Sequence, residues 1–267
     1  MKNTDAILVF LASLVFLLHS SFPLHFAEAQ GNETPYTYIE ATGRGPSRRG
    51  QLNPELQACG NGRMQSPIDI RLQDVKLAPA LGDLPLQYQP AAASIKSLGR
   101  VIQVSWKGNA GNIIVNGDRY DLKQCHWHIP TEHAIEGIRY DLELHIVHQN
   151  SDGAFAVVAI LFKLGRPDQF LSRLLPFIKS VTKEEKDLGI INPRDIGFWS
   201  RNYFRYNGSL TAPPCSEGVV WTIFQEVIMV SEEQVNALRD AVDNEFKMNA
   251  RPIQALNGRS VFLYQAI

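Results

Sequence analysis

Two short runs, Gln124-Cys125-His126-Trp127-His128 and Glu143-Leu144-His145, carry imidazoles at every second residue or beside an acid at that spacing. No other feature of the chain constrains its fold as tightly. In an extended strand alternate side chains share a face. Gln124, His126 and His128 therefore point one way, with Cys125 and Trp127 opposite. In the second run Glu143, His145 and Val147 share a face, while Leu142, Leu144 and Ile146 take the other. The segment 130–141 between them is short enough for the strands to be neighbours. Three imidazoles then converge, with Gln124 and Glu143 beside them as acceptors that fix ring orientation.

An inward group of imidazoles needs either a metal or many acceptors. Neutral imidazole is the commonest protein ligand for zinc, and three histidines form a frequent catalytic set. Five of the seven histidines lie within 23 residues, at His126, His128, His133, His145 and His148. His133 and His148 fit the ligand pattern less well. The first reads as a structural, hydrogen-bonding histidine and the second as exposed. His19 and His25 belong to the N-terminal stretch.

That stretch reads as an export signal. Lys2 precedes an apolar run of 13 residues, Ala6 to Leu18, and Ala27-Glu28-Ala29 is an A-x-A cleavage pattern. The run is shorter than the roughly 20 residues a membrane span needs. Residues 1–29 are thus expected to be a signal peptide and 30–267 one secreted domain, with no membrane attachment after cleavage. The 238 residues left carry 25 basic and 25 acidic side chains. No long like-charge block stands out, so nucleic acid and membrane surfaces are not expected partners. A small-molecule substrate is, and the oligomeric state is open.

Three cysteines in an exported chain suggest one bridge and one spare thiol. Cys59 and Cys215 sit beside Gly or Pro in loop-like sequence, which favours their pairing. Cys125, inside a strand-like run, reads as a small buried hydrophobe. Asn32 and Asn207 begin formal glycosylation sequons, although Asn207 is expected close to the core.

Short β-rich runs recur over 102–106, 112–115, 123–129, 142–148, 155–162 and 219–227, separated by Gly, Asn, Asp and Pro. Ser231-Glu232-Glu233-Gln234 is a capping box ahead of apolar Val235, Leu238 and Val242. Residues 168–178 form a second helix candidate, and 30–67 has loop composition. The expected fold class is mainly β (α+β), a single domain with a mostly antiparallel sheet and a few short surface helices.

Several of these runs together resemble the α-type carbonic anhydrases, and most of all their secreted plant members. The residues are Gln65-Ser66-Pro67-Ile68-Asp69, Gln124 to His128, Thr131-Glu132-His133, Glu143-Leu144-His145, Gly208 to Cys215 and Asn249-Ala250-Arg251-Pro252. They occur in family order between about Tyr36 and Tyr264. The resemblance implies a large central twisted sheet with Zn²⁺ at the bottom of a cone. It makes His126, His128 and His145 the metal ligands, backed by Gln124, Glu143 and Asn249. Thr211 matches the threonine that accepts a hydrogen bond from zinc-bound hydroxide, and Glu132 the acid that orients it. Val147, Val157, Leu210, Val219 and Trp221 match an apolar carbon dioxide pocket. Pro214 matches a cis proline, and Cys59–Cys215 matches the secreted members' disulfide.

The chain departs from that pattern on one wall. Arg100 stands where fast members carry a proton-relaying histidine, and arginine does not release its proton near neutral pH. Leu98 replaces an asparagine nearby. The family's Gly-Pro-x-x-Trp element appears as Gly45-Pro46-Ser47-Arg48-Arg49. Arg44, Arg48 and Arg49 either form an ordinary solvated loop or join Arg100 in a cationic mouth suited to carboxylates. Three readings follow. One is a zinc carbonic anhydrase that interconverts carbon dioxide and bicarbonate with slow proton release. Another is a zinc-retaining relative recruited in plant specialised (for example alkaloid) metabolism to enolisation, decarboxylation or Mannich-like C–C condensation of a small anionic carbonyl compound. The third is a non-catalytic storage or binding protein.

Overall fold

The computed structural model describes residues 36–197 and 200–266. The expected signal peptide and Asn32 lie outside the described residues. The first strands are β1 (Asp69–Ile70), β2 (Val75–Leu77), β3 (Leu86–Tyr88), β4 (Ala91–Ser97) and β5 (Ile102–Trp106). Then come β6 (Gly111–Val115), β7 (Asp118–His128), β8 (Ala134–Ile135), β9 (Leu142–Gln149) and β10 (Phe155–Leu164). The last are β11 (Lys186–Ile191), β12 (Tyr203–Ser209), β13 (Glu217–Val230) and β14 (Val261–Tyr264). Among the described residues four α-helices accompany them, besides short 3-10 turns: α1 (Arg49–Leu52), α2 (Ala58–Asn61), α3 (Gln169–Ile178) and α4 (Glu232–Asp240).

Among the described residues twelve strands make one sheet, with β11-β4-β5-β7-β9-β10-β13-β12-β14-β2 side by side. The β3–β6 ribbon pairs with the first half of β7. Most neighbours are antiparallel, as expected. The exceptions are β10–β13 and β14–β2, which run parallel. A parallel pair needs a long crossover, and α3, β11 and β12 all lie between β10 and β13 in the chain. β1 and β8 form a separate two-stranded pair.

The central strands are covered on both sides, which explains why β9 and β10 are buried almost end to end. One side of the sheet packs Ile146, Val158 and Ile160 beneath the two longer helices. The other packs Val147, Val157, Trp221 and Phe204. Helix α3 starts at Asp168, whose side chain accepts from the Leu171 N–H, and it buries Phe170, Leu171, Leu174 and Ile178. Each such side chain is worth roughly 1.5–3 kcal/mol as an upper bound. Helix α4 begins with the expected capping box, Ser231 and Gln234. Gln234 also joins the two helices, donating from Nε2 to the Asp168 carbonyl at 2.7 Å and accepting the Asp168 N–H at 2.9 Å.

The loop-like stretch before Pro67 contains the single-turn helices α1 and α2. Cys59 at α2 is bonded to Cys215, and Cys125 is the buried free thiol. Strands β4 and β12 are not among the runs expected from sequence. Ala91-Ala92-Ala93 offers little β propensity, and Asn207-Gly208 reads as turn. Pairing on both sides makes each of them a strand. Asn207 corrects the expectation that it sits near the core: its side chain is exposed on β12. No helix among the described residues is long and apolar enough to cross a membrane.

Candidate metal centre

The register of β7 and β9 brings the three histidines together. His126 lies directly opposite His145, His128 opposite Glu143, and Gln124 opposite Val147. The pairing slips by one residue between Leu122 and Gln124, and beyond that bulge the alternation holds through His128. Ring centroids are 5.1 Å apart for His126–His128, 5.3 Å for His126–His145 and 4.6 Å for His128–His145. One nitrogen from each ring lies within 4.8 Å of the others.

Each ring is held by its remaining nitrogen. His126 Nδ1 bonds Gln124 Oε1 at 2.8 Å. His128 Nδ1 donates to the Asn249 carbonyl at 2.8 Å, and His145 Nε2 donates to Glu143 Oε1 at 2.7 Å. The nitrogens left to converge are therefore Nε2 of His126, Nε2 of His128 and Nδ1 of His145. A backbone carbonyl can only accept, so the proton of His128 sits on Nδ1. Its Nε2 carries a lone pair, is buried and has no hydrogen-bond partner. A buried acceptor without a donor is costly, and a metal ion at the centre of the three rings would satisfy it. The donor set, three imidazoles with outer hydrogen bonds, suits zinc.

Electrostatics keep His126 and His128 neutral, the form that ligates a metal. Burial pushes the His126 imidazole well below its ordinary pKa, and His128, His145 and Arg100 push it further down. Burial likewise lowers His128. Glu143 is fully buried yet well below the usual carboxylate range. Desolvation alone would raise it, but His133, His145 and their hydrogen bonds outweigh that cost. Its Oε2 also accepts the backbone N–H groups of Glu132 and His133 at 2.7 and 2.8 Å.

A second cluster, His133, Glu143 and His145, has metal-like spacing but no spare nitrogen on His133. His133 Nδ1 is 2.6 Å from Glu143 Oε1 and Nε2 is 2.8 Å from the Tyr206 hydroxyl. It is a structural histidine, as the sequence suggests. His148 is a correction. It is fully buried rather than exposed, with Nε2 bonded to the Tyr88 hydroxyl at 2.7 Å and Nδ1 near the Ala156 carbonyl at 3.2 Å.

The rings open into a cavity lined by Val147, Val157, Leu210 and Trp221 together with Leu98 and Arg100. Val219 does not line it; the residue lies behind, in the same apolar cluster. Thr211 lines the cavity too. Glu132 Oε1 accepts the Arg251 N–H at 2.8 Å, while Oε2 lies 3.6 Å from His128 Nε2. Burial would raise the Glu132 carboxyl, but His128, His145, the Thr211 hydroxyl and the Arg251 N–H together hold it below its ordinary value. Asn249 acts at the site through its main chain. Its side chain instead ties neighbouring backbone together, accepting the Ile129 N–H and donating to the Arg100 carbonyl, both at 2.8 Å.

A sequence model of the eukaryotic-type carbonic anhydrases matches residues 49–265. The chain belongs to that family. It is 46% identical over 264 residues to alpha carbonic anhydrase 4 of Arabidopsis thaliana, covering 98% of each protein. It is 44% identical over 254 residues to dioscorin DB3L of Dioscorea polystachya, covering 94% of this chain and 93% of the dioscorin. A dioscorin crystallised with ascorbate superimposes with a TM-score of 0.85 at 41% identity, over 88% of this chain and 99% of that one. Carbonic anhydrases are typically zinc-dependent, and the histidine cluster fits that chemistry.

Against the family background, the arginine-rich entry segment needs correcting. Arg44 pairs with Glu245 at 3.5 Å, and Arg48 is exposed and bonds Gln51 at 3.0 Å. Arg49 is fully buried, its guanidinium 4.6 and 4.4 Å from the ring centres of Tyr36 and Tyr38. These three do not line the cavity; of the four arginines only Arg100 does. Arg49 is a residue whose role sequence reading missed. It occupies the position of the absent tryptophan, stacks on aromatic faces and donates to the Thr211 carbonyl at 3.1 Å. Arg251 was missed too. It is buried and donates to Gln65, Ser66 and Cys59 between 2.8 and 2.9 Å. Only its place in the Asn249-Ala250-Arg251-Pro252 motif hints at this.

Proposed function

We propose that this chain is a secreted, zinc-dependent carbonic anhydrase whose turnover is limited by proton release. The observation that carries the reading is three convergent imidazoles, each held at one nitrogen and turning the other to the group, in a cavity that Thr211 and Arg100 also line and with Glu132 beside them. His126, His128 and His145 would hold the zinc. When bound, the ion supplies Lewis acidity and brings the ionisation of water close to neutral pH, carbonic anhydrase itself being the reference case for that effect. Glu132, kept charged, can accept a hydrogen bond from the Thr211 hydroxyl and so turn that oxygen's lone pairs toward the cavity. Val147, Val157, Leu210 and Trp221 offer an apolar carbon dioxide molecule a seat that water does not compete for.

Proton export is the weak step. Arginine side chains do not release a proton near neutral pH, so one at this position offers no relay. Among the described residues the two histidines outside the trio are no substitute. Both ring nitrogens of His133 are engaged, and burial pushes His148 down to about 3. Buffer must therefore collect the proton. The test is stopped-flow carbon dioxide hydration by zinc-loaded protein at graded imidazole concentrations. Rates should climb with buffer, and Arg100→His should raise the rate at low buffer. A zinc-replete protein with no hydration above background would overturn the reading.

One observation favours a second reading. Arg100 faces the cavity, and a dioscorin relative was crystallised with the anion ascorbate. A small anionic carbonyl compound held by Arg100 could then be the substrate for enolisation, decarboxylation or C–C condensation. Failure to bind zinc would instead favour a storage or binding role. Residues 1–29 as a signal peptide, with glycans at Asn32 and Asn207, complete the proposal. Asn207 is exposed, as a glycan site must be.

A further inference from the structure

One buried cation has no part in the metal centre. Along β12, Phe204 and Tyr206 pack into the apolar cluster beside the histidines, whereas Tyr203 packs into the cluster on the other side of the sheet. Alternation puts Arg205 on the side of Tyr203. The residue is 6% exposed. Its Nε and Nη2 both donate to the Thr222 hydroxyl, at 3.2 and 3.0 Å. Thr222 sits directly across on β13. The guanidinium also lies 4.8 Å from the centre of the Tyr203 ring.

Those contacts leave the charge unanswered. Guanidinium has five N–H donors in a fixed fork, and here two of them share one hydroxyl. Among the described residues no carboxylate pairs with Arg205, and Nη1 has no hydrogen-bond partner. Nor is Nη1 sealed inside the protein. Burial lowers the pKa of the group, yet an arginine stays protonated. A buried cation without a counter-charge is costly.

A cavity of about 340 Å³ opens beside it. Arg205 and Tyr203 line it on one side, and Leu81, Leu84, Pro85 and Ile114 give apolar walls. The Asn116-Gly117 turn between β6 and β7 and the Asp83 side chain complete it. Asp83 makes no hydrogen bond to Arg205; its carboxylate bonds Arg201 and the Tyr264 hydroxyl instead. The Tyr203 hydroxyl donates to the Gly82 carbonyl at 2.8 Å and is likewise committed.

We propose that this cavity binds a small monocarboxylate with an apolar body, at a site separate from the metal centre. A carboxylate can take the free edge of the Arg205 fork, and the aliphatic walls would pack against its body. A dianion such as phosphate is disfavoured because it brings twice the charge to a cavity that Asp83 also lines.

The test uses the full chain, ¹⁵N-labelled and titrated with sodium benzoate. The amides of Asn116 and Gly117 report the site. Their resonances should shift saturably, and crystals soaked in benzoate should show the carboxylate at Arg205. Arg205→Met should weaken binding roughly tenfold or more, the loss of a charge-assisted fork. Leu84→Trp keeps the cation but fills the cavity, and should weaken binding equally with an unchanged melting curve. Arg100→Met should not affect these shifts. Benzoate affinity unchanged in either Arg205→Met or Leu84→Trp would overturn the proposal. So would loss of the shifts in Arg100→Met alone, or inorganic phosphate binding as tightly as benzoate. If Arg205→Met does not fold, Leu84→Trp decides.

Discussion

His145 and His148 stand three residues apart on one strand, both buried, yet they differ in what their rings can do. His145 points toward His126 and His128, with one nitrogen on Glu143 and the other open to the group. His148 points to the opposite side, with one nitrogen on Tyr88 and the other near a carbonyl. Burial is shared, so burial does not mark a ligand. The difference lies in hydrogen-bond accounting. A ring held at one nitrogen and open at the other is ready for a metal; a ring held at both is a beam in the structure.

The sharpest way to break this contrast is to delete one ring from each set. His128→Ala should abolish stoichiometric zinc and carbon dioxide hydration together, whereas His148→Gln should retain both; elemental analysis and stopped-flow rates read the result. Zinc loss in His148→Gln with an intact fold would erase the distinction. Glu143→Gln tests the layer behind the ligands. It should weaken zinc by roughly 10–100-fold, measured by competition with a chromogenic chelator. Arg100→His sharpens the contrast from the other side, by adding an imidazole with a free nitrogen within the cavity wall. It should raise hydration at low buffer by roughly tenfold and leave the rate at saturating buffer little changed.

A pH effect separates the two rings as well. Burial pushes His148 down to about 3, whereas an unfolded histidine titrates near 6.5. Its contribution to stability is thus complete above about pH 6.5 and is lost as pH falls toward 3, at up to about 1.4 kcal/mol per unit. His148→Gln should flatten that part of the acid limb in thermal melts between neutral pH and pH 4, and should leave the neutral-pH slope unaffected.

How much of this was legible in the sequence depends on how local the cause is. Strand alternation is local, and the convergence of His126, His128 and His145 could be read from spacing alone. The capping box of α4 and the Asp168 start of α3 are equally local signals. The burial of His148 is not legible locally, because its partner, Tyr88, lies on a strand 60 residues earlier. Arg49 misleads for a related reason. A charged residue in a Gly-Pro loop reads as solvated, and only the fold brings Tyr36, Tyr38 and the Thr211 carbonyl around it. The carbonyl of Asn249 is illegible in principle, since every residue has one. Strand β4 shows the limit of propensity: alanines form it because β5 and β11 flank it.

The Cys59–Cys215 bridge spans 156 positions, and all five described histidines fall inside that span. Asn249 and Arg251, whose main chains hold His128 and Glu132, fall outside it. An oxidised chain that has lost its fold still carries every candidate ligand in one closed ring, a restriction worth ~5 kcal/mol in chain entropy. Rebuilding the centre is then the return of a C-terminal strap to a ring already tied, rather than a search by two free ends.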